Sequence, residues 1–328
     1  MTPPQMSAID FQDVVKKYGS VEALRGVSFS VNKGEMFGLI GPDGAGKTTS
    51  IRALCGLIHV DGGTIRVLGQ DPIKQHRQIT SSVGYLSQRF SLYGDLSIDE
   101  NIAFFAEIHG VTDFGARRDR LLEMMQLTRF RARLADQLSG GMKQKLALAC
   151  TLVHEPQVIV LDEPTTGVDP VSRREFWKLL SQFLAQGITI LMSTPYLDEA
   201  ERCSRIALLH EGAVLALDEP GRLRSSLKGT LFEVLVPSSR EALDRLSGQK
   251  DIASAQVFGD RLHVWIDHGD REFAIRSANA ALAAAGLIPQ SLRAIVPSLE
   301  DVFIARITAK DRGAAEDPST RTAEGTGI

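Results

Sequence analysis

The sequence has few cysteines, no long apolar run and no excess of charge of one sign. Its three cysteines, Cys55, Cys150 and Cys203, are isolated, without the paired spacing of a metal site or a disulfide framework, so we expect buried small hydrophobic side chains. The longest uncharged apolar stretch, residues 280–288, is far shorter than the roughly 20 residues that span a bilayer. The formal net charge of −3 gives no basic footprint for nucleic acid.

The composition is that of a globular protein, with 43% hydrophobic and 23% charged residues, and 328 residues can form one large domain or two ordinary ones. The first residues, from Met1 to Gln5, lack the charged-then-apolar order of a signal peptide. We therefore expect a cytoplasmic protein with no membrane span of its own, which acts at a membrane only through a partner.

Two kinds of periodicity occupy the first two thirds of the chain. Residues 8–33 alternate polar and apolar side chains around turn residues, which predicts antiparallel strands. Four short apolar runs with helical patterns between them then predict a layered α/β sheet of buried strands. The runs are 36–40, 83–86, 158–161 and 188–192, and the helical patterns are 46–57, 98–109, 117–125 and 140–153.

Near residue 220 the pattern changes to that of a small α+β domain. Its order is βαββαβ plus a short helix opened by Ser298, which predicts a ferredoxin-like arrangement. The strands are 231–236, 255–258, 262–266 and 291–296, and the helices are 239–246 and 272–285. We expect one domain over 8–222 with a helical subdomain at about 92–155, a second over 229–308, and a disordered tail over 309–328.

A glycine-rich segment follows the first apolar run and precedes a helical pattern. It runs from Gly41 to Thr48 and matches the P-loop, whose backbone N–H groups and helix N-terminus face phosphates. Lys47 would reach the β- and γ-phosphates, and the Thr48 hydroxyl would bind Mg²⁺. A simple glycine-rich turn is the weaker interpretation, because strand, loop and helix all agree. The candidate nucleotide ligands are Gly41, Asp43, Gly44, Ala45, Gly46, Lys47, Thr48 and Thr49.

Two carboxylates, Asp162 and Glu163, end the third apolar run. An Asp at the carboxyl end of a strand beside a P-loop can hold Mg²⁺ directly or through water. The adjacent Glu163 points in a different direction and could act as the general base on the attacking water. Because strands often end in acidic residues, this pair alone is weak evidence for a nucleotide site. Together with the P-loop it is strong evidence.

A second helix N-terminus is marked by the segment from Leu138 to Lys145. Ser139 suits the N-cap, and Gly140 and Gly141 leave the helix end open to close approach. Because the P-loop already provides one γ-phosphate site, this end would close over a nucleotide bound to another subunit. An ordinary capped helix is the alternative.

These three motifs, in this order and spacing, resemble the ATP-binding cassette (ABC) ATPases over residues 8 to about 220. The resemblance implies a head-to-tail dimer with two ATP molecules sandwiched between the P-loops and the Leu-Ser-Gly-Gly motifs. It also implies that Gln88 senses Mg²⁺ and contacts the membrane partner, and that Tyr18 stacks on adenine. A surface glutamine and a core tyrosine are the alternatives for these two residues. The segment 167–170 matches the loop that crosses to the opposite site.

Two positions depart from the family pattern. Pro195 stands where the family usually has a histidine that contacts the γ-phosphate, and proline has neither an imidazole nor an N–H. Losing one preorganised transition-state contact costs on the order of 10²–10³ in rate. Asp43 stands where asparagine is common and adds like-charge repulsion near the phosphates. Both changes suggest a site that binds ATP but turns over slowly.

The resemblance extends to the ABC-2 export branch that includes daunorubicin-resistance ATPases, on the motifs at 41–49, 167–174 and 298–303. It is strongest to the first cassette of tandem two-cassette bacterial exporters, which also lacks the histidine. No second cassette follows here, so we expect it on a separate polypeptide.

The sequence therefore predicts an ATP- and Mg²⁺-dependent ATPase subunit of an ABC-2 exporter, peripheral on the inner face of the cell membrane. Its expected partners are membrane permease subunits and a second cassette, either a non-identical one or a second copy, and not nucleic acid. The alternatives are a regulatory nucleotide-binding cassette with negligible hydrolysis and a non-transport ABC ATPase.

Overall fold

The computed structural model describes residues 7–88, 91–246, 249, 252–268 and 270–316, with the backbone alone for 309–316. It divides into two compact units, one ending at Glu219 and the other beginning at Pro220. Among the helices so described, none is both long enough and apolar enough to cross a bilayer.

The first unit is built on two sheets. The larger has the order β5-β6-β7-β3-β8-β9 and is parallel except for β9, which pairs antiparallel with β8; the smaller is antiparallel in the order β2-β1-β4. The strands are β1 (Ser7–Tyr18), β2 (Val21–Asn32), β3 (Met36–Ile40), β4 (Gly62–Val67), β5 (Val83–Leu86), β6 (Val158–Asp162), β7 (Thr189–Thr194), β8 (Arg205–His210) and β9 (Ala213–Asp218).

The helices of this unit connect the strands. They are α1 (Lys47–Leu54), α2 (His76–Ser82), α3 (Ile98–Ile108), α4 (Gly115–Met124), α5 (Gly140–Leu152), α6 (Pro170–Ala185) and α7 (Leu197–Ala200), with 3₁₀ turns at Thr128–Phe130 and Ala135–Gln137. The start of α3 is fixed by a capping box: Glu100 N donates to Ser97 Oγ at 3.2 Å, and Ser97 N donates to Glu100 Oε2 at 2.7 Å.

Every residue of β3, β6 and β7 is buried, which explains why these strands read as continuous apolar runs. Stacked rings join the two sheets, with Phe29 lying 4.3 Å from Phe11 and 5.4 Å from Phe37 between ring centroids. The three cysteines are free and buried, as predicted.

The second unit is an antiparallel sheet with helices. The strand order is β11-β12-β10-β13, which is the split βαβ order of a ferredoxin-like fold and confirms that prediction. Its elements are α8 (Pro220–Ser225), β10 (Thr230–Leu235), α9 (Ser239–Leu246), β11 (Ser254–Phe258), β12 (Arg261–Ile266), α10 (Arg271–Ala284), β13 (Ser291–Ile295) and α11 (Leu299–Glu316).

The start of α11 is held from two sides. Ser298 N donates to Asp301 Oδ2 at 2.8 Å, and Asp301 N donates back to Ser298 Oγ at 3.2 Å. The other oxygen of Asp301 lies 2.7 Å from Nδ1 of His263 on β12. The residues at 298–301 therefore secure the last helix to the sheet.

The predicted and observed elements differ in several places. The strands β4, β8 and β9 and the helices α2, α6, α7 and α8 were not predicted. The last helix has 18 residues and is not short. The expected disordered tail began at residue 309, whereas α11 continues to Glu316; residues 317–328 lie outside the described part of the chain.

Candidate nucleotide-binding site

The P-loop connects β3 to α1, and two of its glycines are required by the space around them. A Cβ at Gly41 would lie 2.3 Å from the carbonyl oxygen of Leu209. Gly46, the N-cap of α1, has φ 101°, and a Cβ there would lie 2.7 Å from the carbonyl oxygen of Ala23. Glycine is the residue that tolerates both restrictions, so the tight loop follows from the sequence.

Lys47, the first residue of α1, turns its side chain back into the loop. Its Nζ donates to the carbonyl oxygens of Gly41 at 2.8 Å and Pro42 at 3.0 Å. It also lies 3.1 Å from Glu163 Oε1, and the Lys47 and Glu163 side chains are 4% and 8% exposed. The two motifs that the sequence singled out separately are thus joined by a buried ion pair.

Asp162 ends β6 and is connected to two hydroxyl groups. Its Oδ1 accepts from Thr48 Oγ1 at 3.1 Å and from Ser193 Oγ at 2.6 Å. Ser193 Oγ also accepts from Glu163 N at 3.0 Å, so this serine of β7 contacts both members of the acidic pair. Sequence reasoning gave Ser193 no role; its place near the carboxyl end of a buried strand was the available signal.

Glu163 points away from Asp162 because its backbone is left-handed, with φ 48°. Its Oε2 accepts from Gln88 Nε2 at 3.1 Å and lies 3.5 Å from Thr166 Oγ1. A non-glycine residue in this conformation is strained by about 1–3 kcal/mol, and such strain persists where the surroundings fix it. The backbone and three side chains together set the direction of this carboxylate.

A cavity of about 620 Å³ opens over these residues. Tyr18 lines it with a side chain that is 47% exposed, which excludes the alternative of a core tyrosine. Gly41 and Asp162 are not among the lining residues. The sequence-predicted lining residues are Tyr18, Asp43, Gly44, Ala45, Gly46, Lys47, Thr48, Thr49, Gln88 and Glu163, and those that sequence reasoning missed are Val21, Glu22, Ala23, Arg25 and Glu211.

The residues Ser139, Gly140 and Gly141 do not line this cavity. Ser139 caps α5, because its Oγ accepts from Met142 N at 3.3 Å. A Cβ at Gly141 would lie 2.3 Å from Ser172 Oγ, so the N-termini of α5 and α6 are in close contact. Within one chain, the structure does not bring the Leu-Ser-Gly-Gly motif to the P-loop cavity.

A buried glutamine connects α5 to the acidic pair. Gln144 is fully buried, and its Nε2 donates to the carbonyl oxygen of Pro164, directly after Glu163. Asp169 caps the neighbouring α6, accepting from the backbone N of Val171 and Ser172 at 3.0 Å each.

Pro195 follows β7 in a loop that is held by a buried carboxylate. Glu199, 1% exposed, accepts from Thr194 Oγ1 at 2.7 Å and from Thr165 Oγ1 at 2.5 Å, and Arg173 Nε lies 3.6 Å from it. Sequence reasoning missed Glu199, which lies only four residues after Pro195. The loop is thus fixed without any polar side chain at 195.

Comparison with known proteins places this geometry in a family. Residues 24–166 match the ABC transporter family model. The chain is 36% identical over 310 residues to a Nod factor export ATP-binding protein I of Burkholderia pseudomallei, covering 93% of this chain and 98% of the relative. The chain belongs to the ATP-binding subunits of ABC transporters.

A second relative is longer. The chain is 40% identical over 279 residues to the probable multidrug ABC transporter ATP-binding protein YbhF of Escherichia coli, covering 84% of this chain. The alignment covers 47% of YbhF, so the chain spans about half the length of that relative.

Solved structures agree with the fold. An ATP-binding subunit of an ABC transporter superposes with a TM-score of 0.61 at 30% identity, covering 67% of this chain and 92% of that one. A bacterial ABC transporter cassette solved as a dimer gives 0.58 at 26% identity, covering 64% and 98%. This chain therefore has the P-loop fold of the ABC ATPases that the sequence predicted.

Proposed function

We propose that the chain is the ATP-hydrolysing subunit of an ABC-2 type exporter. Support for export comes from the two relatives, whose names refer to multidrug transport and to Nod factor export. Support for the ABC-2 branch, and for the likeness to a first tandem cassette, comes from the sequence motifs at 41–49, 167–174 and 298–303.

The observation that carries the chemistry is the convergence of Lys47, Gln88 and Glu163 on one cavity, with Asp162 beneath it. In this proposal Lys47 and the P-loop amides bind the phosphates, and Tyr18 stacks on adenine. Glu163 accepts the proton of the attacking water as general base.

The residues also fit a Mg²⁺ site. The Thr48 hydroxyl and the Asp162 carboxylate meet at 3.1 Å, and an oxygen pair beside the phosphate loop is the donor set that Mg²⁺ prefers. Gln88 would be a further oxygen ligand. Bound there with ATP, Mg²⁺ would neutralise charge on the phosphates.

ABC ATP-binding subunits dimerise and work with membrane subunits. We propose that Ser139, Gly140 and Gly141 complete the nucleotide site of a second cassette, since they lie away from the chain's own cavity. The segment at Gln88 and the helical subdomain over 92–155 would transmit closure to the permease, which places the chain peripherally on the inner face of the membrane.

We further propose that the chain's own site turns over slowly and that its partner is a non-identical cassette with the histidine. Pro195 supports this, because a proline side chain has no donor, and the loop around it is fixed by Glu199. The same observation favours a second candidate function, a regulatory cassette with negligible hydrolysis.

The decisive experiment is purification of the chain together with the products of neighbouring genes, followed by single-turnover ATPase measurement. We expect permease subunits and a second cassette to copurify, and slow but measurable hydrolysis at this site. Recovery of a homodimer alone, with rapid turnover, would contradict both the partner and the slow site. Hydrolysis no faster than that of a Lys47→Ala variant would favour the regulatory cassette.

A further inference from the structure

The second unit contains a cavity of its own, of about 380 Å³. Its walls come from the segment 226–228, the beginning of β11, the end of β12 and the middle of α11. The cavity shares no lining residue with the nucleotide site. Its volume falls within the roughly 300–1,000 Å³ that is typical of small-molecule sites.

An arginine with unused hydrogen-bonding capacity lines this cavity. Arg306 Nη2 donates to Ser226 Oγ at 3.1 Å, which fixes one edge of the guanidinium. Its Nε is shielded from solvent and has no acceptor among the residues that the structure describes. The hydrogen bond to Ser226 uses one of the five N–H donors that a guanidinium carries, so donors at its Nη end remain for an acceptor in the cavity.

The charges around Arg306 favour an anion. Lys228 also lines the cavity, and Asp267 is the one carboxylate among the lining residues. Two cations against one anion leave the walls net positive. A guanidinium with free donors matches a carboxylate well, because its planar fork can form two parallel hydrogen bonds.

An indole ring forms an apolar wall of the same cavity. Trp265 lines the cavity and is only 7% exposed, so its ring presents a fixed apolar surface. Leu227 and Ala305 extend the apolar part of the walls. A ligand that satisfies both kinds of surface has a carboxylate at one end and an apolar body at the other.

We propose that this cavity binds a small organic carboxylate, with its carboxylate on Arg306 and its apolar body against Trp265. The inference is independent of the transport function, because none of these residues belongs to the nucleotide site.

Tryptophan fluorescence of the full chain can test the site directly. The chain has two tryptophans, and the other, Trp177, lies buried in α6 of the first unit. In a Trp177→Phe background, the emission therefore reports on Trp265 alone. We expect 3-phenylpropionate to change this emission saturably at millimolar concentration or below. The alcohol 3-phenylpropanol, of similar shape but without the carboxylate, should bind at least about tenfold more weakly.

Arginine variants identify the contact. Arg306→Gln should weaken 3-phenylpropionate binding about tenfold or more. Arg306→Lys keeps the charge without the fork, so it should also bind more weakly. Arg276→Gln, at an exposed position of α10 outside the cavity, is the matched control and should bind as the parent does. Circular dichroism and the melting temperature establish that each variant is folded.

Three results would overturn the proposal. The first is the absence of a saturable response to 3-phenylpropionate in the millimolar range. The second is unchanged affinity in both folded Arg306 variants. The third is equally tight binding of inorganic phosphate, which would make the cavity a general anion site without use of the Trp265 wall.

Discussion

The ammonium group of Lys47 lies 3.1 Å from Oε1 of Glu163, and both side chains are more than nine-tenths buried. The residue that would hold the nucleotide phosphates is therefore paired with the residue that would act as base. A phosphate oxygen that reaches Lys47 Nζ must compete with this carboxylate. Charge pairs of this kind interact strongly when buried, so the competition affects ATP affinity.

The first prediction concerns this pair. Glu163→Gln should bind ATP several-fold more tightly than the parent chain, because Lys47 loses its anionic partner. It should also hydrolyse ATP about 10²–10⁴-fold more slowly, because the general base is gone. Equilibrium binding of a fluorescent ATP analogue and phosphate release measure the two effects.

Glu175→Gln is the control for Glu163→Gln, since Glu175 forms its ion pair with Lys145, at 2.6 Å, and does not line the cavity. Weaker ATP binding by Glu163→Gln than by the parent would show that the ion pair does not compete with the nucleotide.

The second prediction concerns Ser193, which donates to Asp162 at 2.6 Å and accepts from Glu163 N at 3.0 Å. Ser193→Ala should raise the Mg²⁺ concentration needed for half-maximal ATPase activity about 10-fold or more, as is typical when the residue that orients a metal ligand is removed. Ser181→Ala, which removes a hydroxyl that donates to Trp177 O of its own helix, should leave this Mg²⁺ concentration unchanged. An unaltered Mg²⁺ dependence in Ser193→Ala would refute the positioning role.

The third prediction concerns Pro195. Pro195→His should raise the single-turnover rate at this site about tenfold or more, because an imidazole can supply a contact that proline lacks. Pro195→Ala removes the ring without adding a donor and should give no gain. If both variants hydrolyse ATP at the parent rate, Pro195 is not what limits the site.

The fourth prediction concerns Tyr18, whose ring is 47% exposed at the cavity. Tyr18→Ala should weaken ATP binding by about 1–3 kcal/mol, the range of base–aromatic stacking, whereas Tyr18→Trp should preserve it. Tyr93→Ala removes a similarly exposed ring, 46% exposed, outside the cavity, and is the control. Equal ATP affinity of Tyr18→Ala and the parent would contradict the proposal that Tyr18 stacks on adenine.

The fifth prediction concerns stability below neutral pH. Burial, assisted by the neighbouring His109 and Arg117, lowers the pKa of His154 to about 4. The two imidazoles are stacked with 3.8 Å between their centroids. The unfolded chain, with an ordinary histidine pKa, takes up a proton first as the pH falls, so the stability contributed by neutral His154 is present above about 6.5 and lost towards 4.

The expected loss for His154 is roughly 1–2 kcal/mol, allowing for partial solvent screening. Urea unfolding measures the free energy of unfolding at pH 7.5 and at pH 5. The decrease between the two pH values should be smaller in His154→Gln than in the parent. His59→Gln replaces an exposed histidine and should show the same decrease in the free energy of unfolding as the parent. An unchanged difference in His154→Gln would show that other groups cause the acid sensitivity.

The parts of the fold that produce a local pattern of apolar residues could be predicted from the sequence. Fully buried strands such as β3 and β6 produce uninterrupted apolar runs, so their positions were predicted to within a residue. The strands β4, β8 and β9 were missed. Neither β4 nor β9 is buried along its length, so neither gives such a run, whereas β8 was missed although residues 206–209 are buried. The end of α11 was missed because the polar composition of residues 309–316 also suits a disordered tail.

The residues of the nucleotide site also include some that could be predicted from the sequence and some that could not. The P-loop glycines and Lys47 could be located from their spacing, and the strand-terminal acids from their pairing with the P-loop. Tyr18 and Gln88 could be assigned only through the resemblance to the family. Ser193 and Glu199 could not be located, since their partners Asp162 and Thr165 lie 31 and 34 residues away. Only the pairing of β6 with β7 brings them together.

The bond from Gln144 to the carbonyl oxygen of Pro164 has a mechanical consequence. It ties the interior of α5 to the residue that follows Glu163, while the first turn of α5 touches Ser172 of α6. A displacement of α5 therefore shifts the backbone at Glu163, whose left-handed conformation sets the direction of its side chain. If the tip of α5 engages a nucleotide on another subunit, the energetic linkage between the two sites acts equally in both directions.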